Sequence, residues 1–185
     1  MKKVISILGP PGAGKDTQCI LASKKFNLKI ISPGNILRKE IKKDTSLGKK
    51  IKEKIKKGDL IPDKIVEKII NKEIDESRRN VILSGTPRDL RQARKFKIDL
   101  LIFLKCSKNE IVARLLKRSK TQHRSDDTKK IIAHRWEIYK ELTEPVVDYY
   151  KKKYKLKAVN GNLSIKQVSK QITPIIKRML ENNNI

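Results

Sequence analysis

Gly9-Pro10-Pro11-Gly12-Ala13-Gly14-Lys15-Asp16-Thr17-Gln18 lies between a short apolar run, Val4-Ile5-Ser6-Ile7-Leu8, and a helical pattern carried by Ile20, Leu21 and Phe26. A glycine-rich turn set between a strand and a helix lets backbone N–H groups point inward at an anion. The helix adds its own unpaired donors and the positive end of its dipole. Lys15 contributes a point charge for outer phosphate oxygens. This order of elements reads as a polyphosphate cradle rather than an empty turn. One position is unusual: such loops place a hydroxyl residue directly after the lysine, and here Asp16 stands there, with Thr17 following.

The rest of the chain fits one α/β domain. At 185 residues it suits a single full-sized domain, and 37% hydrophobic residues permit a packed core. The formal net charge is +26, from 46 Lys+Arg against 20 Asp+Glu. Such a field draws in anionic ligands and also attracts nucleic acid without sequence preference. Most of the excess, however, is lysine scattered along helical segments such as Lys49-Lys50, Lys52, Lys54 and Lys56-Lys57, which reads as solvated surface. Aromatic residues make up 4% of the chain, leaving few platforms on which single-stranded bases stack. Cys19 and Cys106 form no CxxC pair, so zinc and a disulfide framework are not indicated, and two buried reduced thiols are expected. The apolar run after Met1-Lys2-Lys3 is too short for a signal-peptide core, and no later run approaches membrane-spanning length, so a cytoplasmic protein is expected.

Apolar runs alternate with helical patterns, as in a parallel sheet covered by helices. The pattern predicts strands near 2–8, 28–31, 80–84, 99–104 and 155–159. It predicts helices near 15–26, 34–43, 46–57, 63–76, 89–96, 108–118, 127–141, 145–153 and 165–181. The expected architecture is a five-stranded parallel sheet in one domain spanning 1–185. Asp126 is placed to cap the helix that follows it, and Gly58-Asp59 and Gly161 are turn signals. The segment 32–61 interrupts the alternation with two short helices and reads as an inserted subdomain. The polar stretch from Ser119 to His123 is flanked by Arg118 and Arg124, and 119–125 reads as a short lid over a ligand.

Five blocks in order now point to a known family. They are the glycine loop through Gln18; Ile31-Ser32-Pro33-Gly34-Asn35-Ile36-Leu37-Arg38; Ser84-Gly85-Thr86-Pro87-Arg88 with Gln92; Arg114 with Arg118; and Arg124-Ser125-Asp126-Asp127 with Arg135. The chain resembles the adenylate kinases, nucleoside monophosphate kinases in their short-lid form, over nearly its whole length. The resemblance implies a magnesium-dependent transfer of the terminal phosphoryl group of ATP to AMP, giving two ADP, by a protein expected to act as a monomer. Such chemistry explains recurring arginines. The acceptor is already an ionised phosphate, so positioning and charge stabilisation do the work, and guanidinium forks match phosphate oxygens in pairs.

By resemblance, ATP contacts Gly12, Ala13, Gly14, Lys15, Asp16, Thr17, Arg114, Arg118 and Leu163. The acceptor contacts Pro33, Gly34, Arg38, Asp59, Leu60, Ile61, Gly85, Arg88, Gln92, Arg124 and Arg135. Lys15, Arg88, Arg114, Arg118, Arg124 and Arg135 form the transfer machinery. Gln92 presents an amide donor and acceptor to the adenine edge, where pyrimidine-preferring relatives tend to carry Asn. Arg135 lies beside the apolar stripe of its helix and needs an anionic partner. His123 and His134 read as surface or lid residues.

Three positions depart from the family pattern: Asp16 replaces its usual Gly, Ser84 its usual Asp, and Pro33 its usual Thr. The family's Asp organises waters on magnesium, so a carboxylate relocated to Asp16 is expected to take over that task. Two alternatives stay open. One is a kinase preferring UMP, CMP or another monophosphate, since Pro33 removes a hydroxyl near the acceptor base. The other is a kinase-like nucleotide-binding protein that uses its charge to serve RNA or ribosomes.

Overall fold

The computed structural model describes residues 2–42, 45–57, 59, 61–122, 127–153 and 155–181. Strands β1 (Val4–Leu8), β2 (Lys29–Ile31), β3 (Val81–Ser84), β4 (Leu100–Lys105) and β5 (Leu156–Asn160) form one sheet in the order β2-β3-β1-β4-β5. Every pairing is parallel. β1 and β3 are buried at every position, which is why they read as runs that are apolar but for Ser6 and Ser84 rather than as alternating ones.

Helices cover both faces: α1 (Lys15–Phe26), α2 (Pro33–Ile41), α3 (Ser46–Lys57), α4 (Asp63–Asp75), α5 (Leu90–Lys95), α6 (Lys108–Gln122), α7 (Lys129–Ile138), α8 (Glu144–Lys152) and α9 (Ile165–Glu181). One core cluster joins Ile5, Ile7, Ile102 and Leu104 to Leu115 of α6 and to Val168, Ile172 and Ile176 of α9. The other joins Leu8, Leu83 and Leu101 to Leu37 of α2, Ile51 of α3, Ile70 of α4 and Val146 and Tyr150 of α8. The inserted helices thus share the second core with the sheet.

The structure differs from the expected elements in three places. α6 continues to Gln122, past the predicted end at 118, and accommodates Ser119 and Thr121 by letting their hydroxyls bond back to the Leu116 and Lys117 carbonyls (2.9 and 3.3 Å). Residues 119–122 of the expected lid therefore extend a helix, and 123–125 lie outside the described residues. Next, α7 begins at Lys129 and its N-cap is Thr128, whose side chain accepts from the Ile131 N–H. Asp126, expected to cap it, lies outside the described residues, as does Gly58 of the expected turn. Finally, α7 and α8 are joined by a π-turn (Tyr139–Thr143) that periodicity did not predict. Cys19 is buried as expected, whereas Cys106 is half-buried at the end of β4.

Topology places the site. Strand order reverses about β1, so the loops leaving β1 and β3 emerge side by side at the carboxyl edge of the sheet, where open α/β sheets bind ligands. The register pairs Ile7 with Ser84, and the Gly85 N–H bonds the Ile7 carbonyl at 2.9 Å. Residues 9–14 and 85–88 are thereby forced together.

Candidate active site

The loop after β1 is built as its glycines require. Gly14 is the N-cap of α1 at φ 86°, a left-handed conformation that side chains resist. No side chain caps α1, which leaves its first N–H groups for another acceptor. The Lys15 ammonium folds back to the Gly9 and Pro10 carbonyls at 2.8 and 2.7 Å. Burial pushes its pKa down to about 7, and the nearby Arg88 guanidinium adds to the effect while Asp16 opposes it. Gly85, at φ 68°, leaves room for this stem: a Cβ there would stand 3.1 Å from Lys15 Cε.

Asp16 is held on one oxygen only. Its Oδ1 accepts from Ser84 Oγ at 2.6 Å and from Ser32 Oγ at 3.0 Å. Its Oδ2 takes no hydrogen bond from a described residue, and the side chain lines the cleft beside Lys15. Burial raises the carboxyl pKa, but the two serine hydroxyls, Lys15 and Arg38 together outweigh it and hold the pKa below its ordinary value. Asp16 is therefore an anion facing a space shaped for an anion.

Two of the cavities that open from this centre match the expected nucleotide sites. The larger, about 1890 Å³ and open to solvent, runs from the glycine loop to Arg114, Arg118 and Leu163 and contains every described residue expected to meet ATP. The second, about 680 Å³, lies under the insertion and is lined by Pro33, Gly34, Asp59, Ile61 and Gln92. Arg38, Arg88 and Arg135 line both. Gly85, expected with the acceptor, lines the larger cleft instead. Leu60 and Arg124, two of the expected site residues, lie outside the described residues.

The arginines are held by identifiable partners. Arg88 Nε donates to the Gly85 carbonyl at 3.0 Å. Its side chain opens onto the cleft, yet it is crowded enough that desolvation, then Arg135, brings its pKa to about 10, still cationic at neutral pH. Arg38 donates to Asn35 Oδ1 at 2.5 Å. Arg114 bonds Glu110 at 2.6 Å, the surface pair its spacing allows, and also the Leu163 carbonyl at 3.3 Å. Gln92 is 2% exposed, and its Oε1 accepts from the Arg88 N–H at 3.1 Å, so part of the amide serves the main chain.

Asp127 and Ser32 occur in the motifs, but their spacing assigns neither a role at the site. Asp127 is a fully buried carboxylate that takes both prongs of Arg118 at 2.6 and 2.7 Å and one from Arg135 at 3.3 Å. It supplies the anion Arg135 required. The available signal was its place directly ahead of an arginine-bearing helix. His134 is exposed, as expected, and its Nε2 lies 2.8 Å from Asp59 Oδ1, joining α7 to the insertion. His123 lies outside the described residues.

Comparison with known proteins agrees with this geometry. The family model for adenylate kinase matches residues 7–155. A curated adenylate kinase of Prochlorococcus marinus (strain MIT 9515) is 37% identical over 93% of this chain and 97% of the relative. One from Azobacteroides pseudotrichonymphae is 38% identical over 95% and 97%. One from Thermus thermophilus is 35% identical over 86% and 89%.

Proposed function

The chain belongs to the adenylate kinase family and transfers the terminal phosphoryl group of ATP to AMP; from that premise we propose how its residues divide the work. ATP lies along the larger cleft, with its phosphates on residues 12–17 and its nucleoside toward Arg114, Arg118 and Leu163. AMP lies under the insertion 32–61, its base toward Gln92 and the backbone at 59–61. Arg38 and Arg88 hold the acceptor phosphate. Arg135, with Arg124, closes on the group in transit, and residues 119–125 shield it from water. One observation carries this assignment: Arg38, Arg88 and Arg135 line both cavities, so one set of guanidiniums faces donor and acceptor together. No general base is required, because the attacking oxygen is already ionised.

Magnesium fits the residues present. Asp16 offers a hard, ionised oxygen with Oδ2 unengaged, and a carboxylate beside a polyphosphate needs a cation between them. Among the described residues no group of three or more His, Cys, Asp or Glu converges. That suits an ion bound mainly by substrate phosphates, water and one or two carboxylates. Asp16 would hold it directly or through water, and when bound it neutralises developing phosphate charge.

We also propose a cytoplasmic monomer. Among the described residues, no helix is long and apolar enough to cross a membrane. Family membership over 7–155 disfavours the RNA-serving alternative. Steady-state assays with ATP, Mg²⁺ and AMP, CMP or UMP test the assignment, alongside a bisubstrate analogue joining two adenosines through a polyphosphate. AMP is the expected best acceptor, and the analogue should compete with both substrates. Competition with only one of them would separate the cavities and overturn the shared-arginine reading.

A further inference from the structure

α7 and α8 form one helical element interrupted only at Tyr139–Thr143, and the sequence contains the cause. Pro145 has no N–H to give the carbonyl of Glu141, and in an α-helix its ring presses against that oxygen. The backbone closes a wider turn instead, with the Glu144 N–H bonding the Tyr139 carbonyl five residues back. One added residue turns the helix face by about 100°. As a result Thr143 is 5% exposed, while its neighbours Leu142 and Glu144 face solvent.

The buried hydroxyl has a specific target. Thr143 Oγ1 donates to the Arg88 carbonyl at 2.7 Å. The Arg88 N–H is already taken by Gln92 Oε1, and Ser6 Oγ donates to the neighbouring Thr86 carbonyl. Side chains thus hold both main-chain groups of Arg88. Arg135 belongs to the same helical element as Thr143, and a cavity of about 470 Å³ is walled by Lys15, Gly85, Arg88, Arg135, Tyr139 and Thr143. One element therefore carries Arg135 on its backbone and reaches Arg88 through a hydroxyl.

We propose that Thr143 is a positioning residue for phosphoryl transfer: delivered by the π-turn, its hydroxyl fixes the Arg88 main chain so that the Arg88 and Arg135 guanidiniums keep their relative placement. The inference rests on reading Arg88 as the holder of the acceptor phosphate. Valine keeps the shape of threonine and removes the donor, and losing one buried hydrogen bond that orients a reacting group reduces rate by about tenfold.

The test is a set of Thr143→Val, Thr143→Ser, Arg88→Lys and the Thr143→Val/Arg88→Lys double variant, each assayed for kcat, both KM values and Tm. Thr143→Val should lower kcat/KM for AMP about tenfold and leave KM for ATP within about twofold, and Thr143→Ser should recover most of the loss. On the Arg88→Lys background the valine change should add less than about twofold, since both act through one group. A loss of activity that merely follows a fall in Tm, a rise in KM for ATP beyond about twofold, failure of serine to rescue, or full additivity would overturn the proposal. A silent Arg88→Lys would remove the underlying reading as well. An impaired Arg88→Lys with a normal Thr143→Val would remove this inference alone. If the valine protein does not fold, Thr143→Ala replaces it under the same criteria.

Discussion

Asp16→Asn removes one negative charge from the donor cleft while preserving size and the oxygen that Ser84 and Ser32 address. A unit charge about 5 Å from a phosphate repels it by roughly 3 kcal/mol at an effective dielectric of 20. Asp16 is only half-buried, so solvent and salt reduce this to about 1–2 kcal/mol, a factor of roughly 5–30 in binding. Titration calorimetry with ATP in EDTA should therefore show the variant binding metal-free ATP more tightly than the wild type by that factor. With saturating magnesium the order should reverse, because the wild-type carboxylate then faces a cation and the amide offers it less. Opposite signs under the two conditions are the signature of a carboxylate placed for a metal. A side chain that merely orders the start of α1 would shift both titrations the same way. Unchanged or weaker binding of metal-free ATP to Asp16→Asn would refute the charge placement argued from Oδ2.

Arg88→Lys keeps the charge but loses the two-pronged fork, and kcat should fall about 10²-fold or more in steady-state assays, with Tm within about 2 °C of wild type. Asp127→Asn breaks a buried carboxylate's bonds to two arginines whose side chains are 23% and 22% exposed. After allowance for that exposure the loss is about 2 kcal/mol, lowering Tm by roughly 4–8 °C in a thermal melt; a change under about 1 °C would contradict the pairing. Burial raises the pKa of both thiols, so at neutral pH a thiol reagent should label Cys106 slowly and Cys19 only after denaturant. The thiolate is the reactive form, so the Cys106 rate should keep rising with pH beyond the point where a free thiol levels off. A plateau at the ordinary thiol pKa would count against it.

The fold was legible wherever one physical signal ruled. The glycine loop, the buried runs of β1 and β3 and the periodicity of α3 and α9 appear where expected, because burial and backbone geometry dictate those residues directly. α1 has its expected bounds for another reason: Ile20 and Leu21, which suggested it, are exposed, and its buried face is Gln18, Cys19 and Ala22. The π-turn was not legible from periodicity, which counts side chains on a face and cannot register one extra residue in a turn. Its trace was Pro145, visible only as a position where an α-helix cannot continue unchanged. The extent of α6 was missed for a related reason: Ser119 and Thr121 look like loop residues until their hydroxyls find carbonyls of their own helix. At the site, the residues whose motif spacing carries chemistry were identified and the residues that hold them were not. Asp127 and Thr143 act on arginines distant in sequence, and no spacing rule reports such partners.

The charge of the chain sorts itself by chemistry once the cleft is known. Its basic residues are mostly lysine, and those lie largely on exposed helix faces, as along α3. The larger cleft reverses that preference: beside Lys15 and Lys117 it is lined by Arg38, Arg88, Arg114, Arg118 and Arg135. A general attraction for polyanions would be served by either residue, because it depends on charge alone. Oriented contact with phosphate oxygens is not, since a planar fork fixes direction as well as sign and keeps its proton when crowded by other cations. Lys15 makes the contrast concrete, for burial and a neighbouring guanidinium suffice to bring its pKa to about 7, whereas Arg88 in the same surroundings stays near 10. Lysine in place of Arg88 would be open to the same loss of charge that burial and a neighbouring cation bring to Lys15. The arginines keep that charge in place before any phosphate arrives.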